Sequence, residues 1–154
     1  IAKVLPLALQ RLETFADFFP LAQFLLMESP DYLIEDLVGK FEAQAVARLL
    51  KIAEWELEKV KSWDRDSLSG LFQRMADTEE TKLKDLLRPF FFAISGSAVS
   101  LPLFDGMTLL GPDLSRVRLR KALYQLSEAG SGLSKKRLKA LEKEYRKSYG
   151  ERID

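Results

Sequence analysis

The stretch KFEAQAVARLLKIAEWELEKVK, residues 40–61, decides the fold class. Its apolar residues recur at intervals of four and three in turn, which is the spacing of one face of an α-helix. That face consists of Val46, Leu50, Ala53, Leu57 and Val60. Five charged residues are expected on the solvent side: Glu42, Arg48, Lys51, Glu54 and Glu58. We predict a long helix whose apolar stripe packs into a core. The alternative, in which the stripe binds a partner protein, stays open.

The same helical spacing continues on both sides of this stretch. Strict alternation of apolar and polar residues is scarce, so no β-sheet is expected. Short turns at glycine, proline and polar residues separate the segments, with stops predicted at Gly39 and Gly111 and a kink or restart at Pro89. After an opening segment over about 2–12, the predicted helices cover about 15–26, 30–38, 40–61, 65–76, 82–94, 103–110, 114–127 and 133–148.

These segments predict an all-α protein, a helical bundle of about eight helices in two small subdomains. The first subdomain is expected over residues 1–80 and the second over 81–127. A basic helical extension, residues 128–154, begins with a linker, residues 128–132, that contains Gly-Ser-Gly. Asp64 or Asp66 is expected to cap the helix that ends near Ala76.

Several classes of chemistry are missing from the composition. The chain has no cysteine and no histidine, which excludes disulfides, thiol nucleophiles, Cys/His zinc sites and His-dependent triads. No apolar run is long enough to span a bilayer, and the lack of cysteine fits a reducing cytoplasm. The acidic pairs Glu35–Asp36 and Glu79–Glu80 are typical of solvated helix ends. We therefore predict no catalytic residue and no metal site within the chain.

Charge is distributed unevenly along the sequence. Residues 113–154 contain 12 lysines and arginines against 6 acids, whereas residues 1–112 contain 12 against 17. A basic end on an acidic chain indicates a polyanionic partner. A solvated helix surface explains the same pattern, and composition alone leaves both interpretations open.

Two stretches carry a family resemblance. The first is RLETFADF, residues 11–18, followed by the apolar residues 21–26. The second is LLRPFFFAISG, residues 86–96, which is similar to the pattern Pro-Leu-Arg-x-Ala-Leu-Thr-Gly. Further pieces follow in the same order and spacing, namely Leu103-Phe104, Leu109-Leu110-Gly111 and the basic helix 116–126. Together they resemble the C-terminal anticodon-binding domain of bacterial-type, class I glutamyl-tRNA synthetases.

The resemblance implies the anticodon-binding part of a glutamate–tRNA ligase, which attaches glutamate to tRNA(Glu). In that family the catalytic work is done by an N-terminal Rossmann-type domain, where ATP and Mg²⁺ bind. That domain's histidine-containing signature and Lys-Met-Ser-Lys-like loop are not in this sequence. We therefore expect a cytoplasmic, monomeric fragment that binds tRNA(Glu), takes no cofactor of its own and depends on a catalytic domain outside it.

The resemblance also assigns candidate anticodon-binding residues. Arg11 matches the family arginine that reads the third anticodon base, where a guanidinium offers paired donors. Ser100 and Leu103 match residues near the first anticodon bases, as a hydrogen-bonding hydroxyl and an apolar contact. Phe91 departs from the pattern, because the family usually has arginine there. An aromatic ring replaces a base-edge donor with a stacking surface.

Cations on the last two predicted helices are candidates for phosphate contacts, which add affinity without sequence information. The candidates are Arg116, Arg118, Arg120, Lys121, Lys135, Lys136 and Arg137. The alternative for the last helix is a solvated surface with internal pairs such as Glu142–Arg146. The alternative for the whole chain is a helical protein-interaction module without an RNA role, and a carboxylate-based enzyme domain is a third hypothesis.

Overall fold

The structure, a computed structural model of the chain, describes residues 32–96 and 102–151. All regular elements in these two ranges are helices, so the all-α prediction is confirmed. None of the described helices is long and apolar enough to cross a membrane. The six helices are α1 (Ile34–Val38), α2 (Ala43–Glu58), α3 (Arg65–Thr78), α4 (Leu83–Ser95), α5 (Leu103–Glu128) and α6 (Lys135–Tyr149). The count of about eight is not confirmed, since the predicted segments 2–12 and 15–26 lie outside the described residues.

The central helix α2 has the predicted apolar stripe. Four of its five members are buried, and Val60 is half-buried just after the helix ends. The prediction for Glu54 was wrong, because its side chain is buried as well. Arg120 on α5 and Lys51 on α2 lie 3.0 and 3.4 Å from its carboxylate oxygens. An unpaired buried carboxylate is very costly, and these two cations offset part of that cost, which allows Glu54 to lie inward.

Two predicted helix boundaries have the expected chemistry. The Asp64 carboxylate accepts a hydrogen bond from the Ser67 backbone N–H at 2.8 Å and so caps α3. Gly39 ends α1 with a backbone φ of 58°, a conformation that residues with a Cβ rarely adopt. A Cβ at Gly39 would also lie 2.7 Å from Nε of Arg88. The backbone conformation therefore favours glycine here, and a Cβ would also displace the Arg88 side chain.

A kink or a restart was predicted at Pro89, and the restart is wrong, since α4 continues through Pro89 from Leu83 to Ser95. Proline removes one backbone donor from the helix. Packing compensates for this loss, because Phe90 and Phe92, on either side of Phe91, are both buried. Phe91 itself is only half-buried, as expected for three consecutive rings that cannot share one helix face.

Helix α5 contains the predicted break at Gly111, which has φ of 85° and ψ of 170°. The break separates a first part, residues 103–110, from a second part, residues 112–128. At the break, the carbonyl of Met107 accepts hydrogen bonds from the indole N–H of Trp63 at 2.8 Å and from the Ser115 hydroxyl at 3.4 Å. The loop before α3 is thereby fixed to the first part of α5.

The described helices share one hydrophobic core that continues across the predicted subdomain boundary at residue 80. At its centre, the ring of Phe72 on α3 lies 4.8 Å from that of Phe90 on α4. The Phe104 ring on α5 lies 5.7 Å away from Phe72. The described residues on the two sides of this boundary pack together, and the division into subdomains 1–80 and 81–127 stays a prediction.

The C-terminal helix α6 is part of the same core. Its predicted apolar face is present, with Leu141 and Tyr145 buried and Leu138 half-buried. The ring of Tyr145 lies 5.0 Å from the Trp55 ring on α2. Residues 128–132, expected as a linker, form a tight turn in which the Ser131 N–H donates to the Leu126 carbonyl at 2.8 Å. Any side chain at Gly132 would collide with the backbone of Ser127.

A polar network fixes α6 to α2 and to the turn after α3. The Arg48 guanidinium bonds both Glu79 and, at 2.8 Å, Glu144. The hydroxyl of Tyr149 donates to the Glu79 carboxylate at 2.5 Å, and Lys59 donates to the Tyr149 carbonyl at 3.2 Å. Since these contacts join residues far apart in sequence, α6 has a defined position on the bundle.

Alkaline pH is expected to destabilise the fold partly through Tyr32. Burial of its side chain raises the pKa of Tyr32 from the ordinary value of 10 to about 12. A raised folded-state pKa means that this contribution to stability is complete below pH 10 and is lost as pH rises to about 12. Between pH 10 and about 12, the free energy of unfolding should fall less for Tyr32→Phe than for the unmodified chain. Urea unfolding of both proteins at a series of pH values measures it, and identical pH profiles would contradict the assignment.

Candidate nucleic-acid interface

A groove of about 560 Å³ lies between the end of α1 and the outer face of α4. Its walls are Gly39, Lys40, Lys84, Asp85, Arg88 and Phe91. Lys84, Arg88 and Phe91 are spaced by four and three, so they share one face of α4. We call this the Phe91 groove. The burial of Phe90 and Phe92 in the core sets the rotation of α4 and turns Phe91 toward the groove.

Among the described residues that line the Phe91 groove, cations outnumber acids. Lys40 lies 2.8 Å from the Asp85 carboxylate, and its hydrogen bond holds the pKa of Asp85 below the usual range. Lys84 and Arg88 form no ion pair with any residue in the described part of the chain. The Arg88 guanidinium lies 5.4 Å from the centre of the Phe92 ring, a cation–π arrangement that holds it beside the groove.

This arrangement suits a ligand that is both planar and anionic. A half-exposed aromatic ring can stack on an unpaired base, and adjacent cations can contact the phosphates that flank it. Both features are required for single-stranded nucleic acid, since stacking supplies affinity per base and cations neutralise the backbone. The Phe91 groove therefore has the chemistry of a nucleotide-binding surface.

Of the four predicted anticodon-binding residues, Phe91 and Leu103 lie in the part of the chain that the structure describes. Phe91 lines the groove. Leu103, expected to pack on a base, is only 4% exposed at the start of α5, where it belongs to the hydrophobic core. That expectation is corrected, because a residue enclosed by core side chains offers no surface to a base. Arg11 and Ser100 lie outside the described residues.

Arg118 was wrongly predicted to contact phosphate. Its side chain is fully buried, and its guanidinium donates to the carbonyl of Ile94 near the end of α4. Burial also lowers its pKa. A signal for this position was present in the sequence, since Ser115, Arg118 and Ala122 are spaced by three and four and all lie on the buried side of α5.

The remaining phosphate candidates differ in accessibility. Arg120 is exposed but bonds the Glu54 carboxylate at 3.0 Å. Arg116 and Lys121 on α5 are half-buried. Lys135, Lys136 and Arg137 are exposed in the first turn of α6. The α6 residues are therefore the more accessible group.

Three cations of the Phe91 groove were missed by the sequence analysis, namely Lys40, Lys84 and Arg88. Lys84 and Arg88 could have been found from their helical spacing to Phe91. Lys40 could not, because it comes from the turn after α1 and reaches the groove only through tertiary packing.

The fold and the groove define an all-helical domain with a basic, aromatic-lined surface of the kind that binds nucleic acid. A family model described as an anticodon binding domain matches residues 1–123, and the chain belongs to this family. Among curated relatives, the glutamate–tRNA ligase of Saccharophagus degradans is 41% identical over 143 residues, which are 92% of this chain and 28% of the relative.

Two other relatives agree with this assignment. The glutamate–tRNA ligase of a Marinomonas species is 38% identical over 146 residues, covering 94% of this chain and 29% of the relative. That of Pseudoalteromonas translucida is 38% identical over 147 residues, covering 95% and 29%. The chain thus spans less than a third of the length of these relatives.

Proposed function

We propose that this chain is the anticodon-recognising part of a glutamate–tRNA ligase that joins glutamate to tRNA(Glu) with ATP. The observation that carries the proposal is the match of residues 1–123 to the anticodon binding domain family. The identity to glutamate–tRNA ligases over nearly the whole chain supports the choice of tRNA. The Phe91 groove supplies a physical means of binding an unpaired base.

Anticodon recognition follows from how proteins read RNA loops. Unstacked loop bases are bound by stacking on aromatic rings and by hydrogen bonds to their edges. We assign Phe91 to stacking on a base at the start of the anticodon, with Arg88 and Lys84 on the flanking phosphates. We assign Arg11 to the third anticodon base and Ser100 to a hydrogen bond near the first bases.

Phosphates outside the triplet supply further affinity in this proposal. Arg116, Arg120 and Lys121 on α5 are assigned to them. Arg120 is the weakest of the three, because Glu54 already neutralises part of its charge. Such contacts orient the RNA without reading its sequence.

The chemical step belongs to the rest of the parent enzyme. ATP and Mg²⁺ are assigned to its catalytic domain, and no residue of this chain is assigned to them. The chain's role is to bind tRNA(Glu) and so bring the acceptor end to that domain. A monomeric, cytoplasmic parent completes the proposal.

Arg11→Ala is the decisive variant. It should remove most of the preference for tRNA(Glu) over the same tRNA with an altered third anticodon base, because the guanidinium no longer bonds that base. A contact of this type is worth about 1–3 kcal/mol, which is roughly tenfold or more in affinity. Equilibrium binding of the two tRNAs to each protein measures the preference.

The matched control is Arg74→Ala, an exposed arginine on α3 that lines a different cleft. It should leave the preference intact.

Phe91→Ala should weaken binding of all tRNAs with an unstacked anticodon by a comparable amount, about 1–3 kcal/mol per stacked base. Equal binding of matched and altered tRNAs to the unmodified chain would instead favour the protein-interaction module.

A further inference from the structure

The outer face of α6 carries a continuous row of lysines. Lys136, Lys139, Lys143 and Lys147 are spaced by three, four and four, so they lie on one side of the helix. All four are exposed. They span about 16 Å at the rise of 1.5 Å per residue of an α-helix. We call these four residues the lysine stripe.

Acidic residues do not neutralise the lysine stripe. None of the four lysines forms an ion pair with a residue in the ranges 32–96 and 102–151. The two acids of α6 are bonded by arginines, since Glu142 lies 3.2 Å from Arg146 and Glu144 lies 2.8 Å from Arg48. No acid among the described residues therefore compensates these four like charges on one helix face, which favours contact with an anion.

The orientation of the lysine stripe is fixed by the packing of α6. The buried Tyr145 faces Trp55 on the opposite side of the helix, and the tight turn before α6 leaves no room for a side chain at Gly132. Glu144 and Tyr149 connect α6 to the network of Arg48 and Glu79. Because the backbone of α6 already has a fixed position, it loses little conformational entropy on binding. This favours a specific docking geometry for the helix.

From these observations we infer that the lysine stripe is a second RNA contact, which binds the phosphate backbone of the tRNA outside the anticodon triplet. The inference rests on the proposed tRNA-binding function. It concerns a helix beyond residue 123, where the match to the anticodon binding domain ends. Lysines act here as point charges on flexible stems, so the contact adds affinity and carries no sequence preference.

RNA is favoured over two other anionic partners. A helix that lies on a membrane needs an exposed apolar face, whereas the apolar face of α6 is buried against α2. A protein interface needs aromatic or aliphatic anchors, and none of the exposed large apolar residues of the described chain lies on α6. A surface of lysines alone matches the repeated charge of a phosphate backbone.

The test uses the whole chain with Lys136→Gln, Lys143→Gln and Lys147→Gln combined. Glutamine has a helix propensity close to that of lysine, so α6 should be retained, and circular dichroism and thermal unfolding check this. Binding to tRNA(Glu) is measured over a range of salt concentrations. We expect affinity at low salt to fall about tenfold and the slope of log affinity against log salt to become shallower by about two.

The matched control neutralises Lys61, Arg74 and Lys82, three exposed cations that lie between α2 and α5 in sequence and outside α6. It removes the same charge and should leave most of the salt slope. Equal effects of the two triple variants would overturn the inference, because total charge would then explain the loss. So would an unchanged slope, or a loss confined to binding of acidic lipid vesicles.

The anticodon-altered tRNA separates this inference from the proposed function. The lysine-stripe variant should keep the ratio of affinities for matched and altered tRNAs, since phosphate contacts do not depend on the bases. If that ratio is already one for the unmodified chain, the proposed function fails. A preserved ratio together with an unchanged salt slope overturns the lysine stripe alone.

Discussion

Phe72→Ala is expected to lower the free energy of unfolding by about 3–5 kcal/mol, the range for removing a large buried aromatic side chain. Phe72 is fully buried where three helices meet. Its ring contacts that of Phe90 edge-to-face at 4.8 Å and also lies close to Phe104. Truncation would remove both aromatic contacts and leave a cavity that the surrounding helices can fill only partly.

Urea unfolding followed by circular dichroism measures this loss. Phe91→Ala is the matched control, since it deletes the same side chain from a half-exposed position directly after Phe90. It should cost only about 1 kcal/mol, because much of the ring is already in water. Equal losses for the two variants would contradict the placement of Phe72 at the centre of the core.

The second large effect is expected for Tyr145→Ala, which should destabilise the chain by about 3–4 kcal/mol on the same grounds. Tyr145 is 1% exposed and packs against Trp55. Its ring also stacks on Tyr149 at 5.2 Å, and Lys59 lies 4.7 Å above it. Loss of this ring removes the largest buried apolar side chain that α6 contributes to the core.

Tyr124→Ala provides the control for this variant, because the Tyr124 side chain on α5 is 64% exposed. A change of less than about 0.5 kcal/mol is expected there, as for most surface substitutions. Thermal unfolding of both variants, monitored by tryptophan fluorescence, compares them directly. An unchanged midpoint for Tyr145→Ala would mean that α6 contributes nothing to the core.

Much of the fold could be predicted from local patterns. The stripe of α2, the apolar face of α6, the cap at Asp64 and the break at Gly111 all depend on residues a few positions apart. Helical periodicity and turn chemistry act over this range. The Glu142–Arg146 pair, at 3.2 Å, was predicted for the same reason.

The errors in the fold concern interactions between distant parts of the chain. Glu54 was expected in solvent because its compensating partner Arg120 is 66 positions away. Pro89 was expected to interrupt α4 because the local rule carries no information about the burial of Phe90 and Phe92. In both cases tertiary packing outweighed a local preference.

The candidate site shows the same limit. Phe91 was selected because it departs from the pattern Pro-Leu-Arg, and its exposure follows from having two buried neighbours. Arg118 was selected for its charge alone, although its spacing to Ser115 and Ala122 placed it on the buried side of α5. Lys40 joins the Phe91 groove through the packing of α1 on α4, which no local pattern encodes.

The position of α6 has a consequence for protein engineering. A shortened chain that ends at residue 123, where the family match ends, would lack the last turn of α5. It would also lack α6, whose Tyr145 packs on Trp55, so the Trp55 side chain would become exposed. The exposed indole and its aliphatic neighbours would form a hydrophobic surface patch, and such patches promote aggregation. Expression boundaries for this domain should therefore be drawn beyond Gly150, where α6 ends.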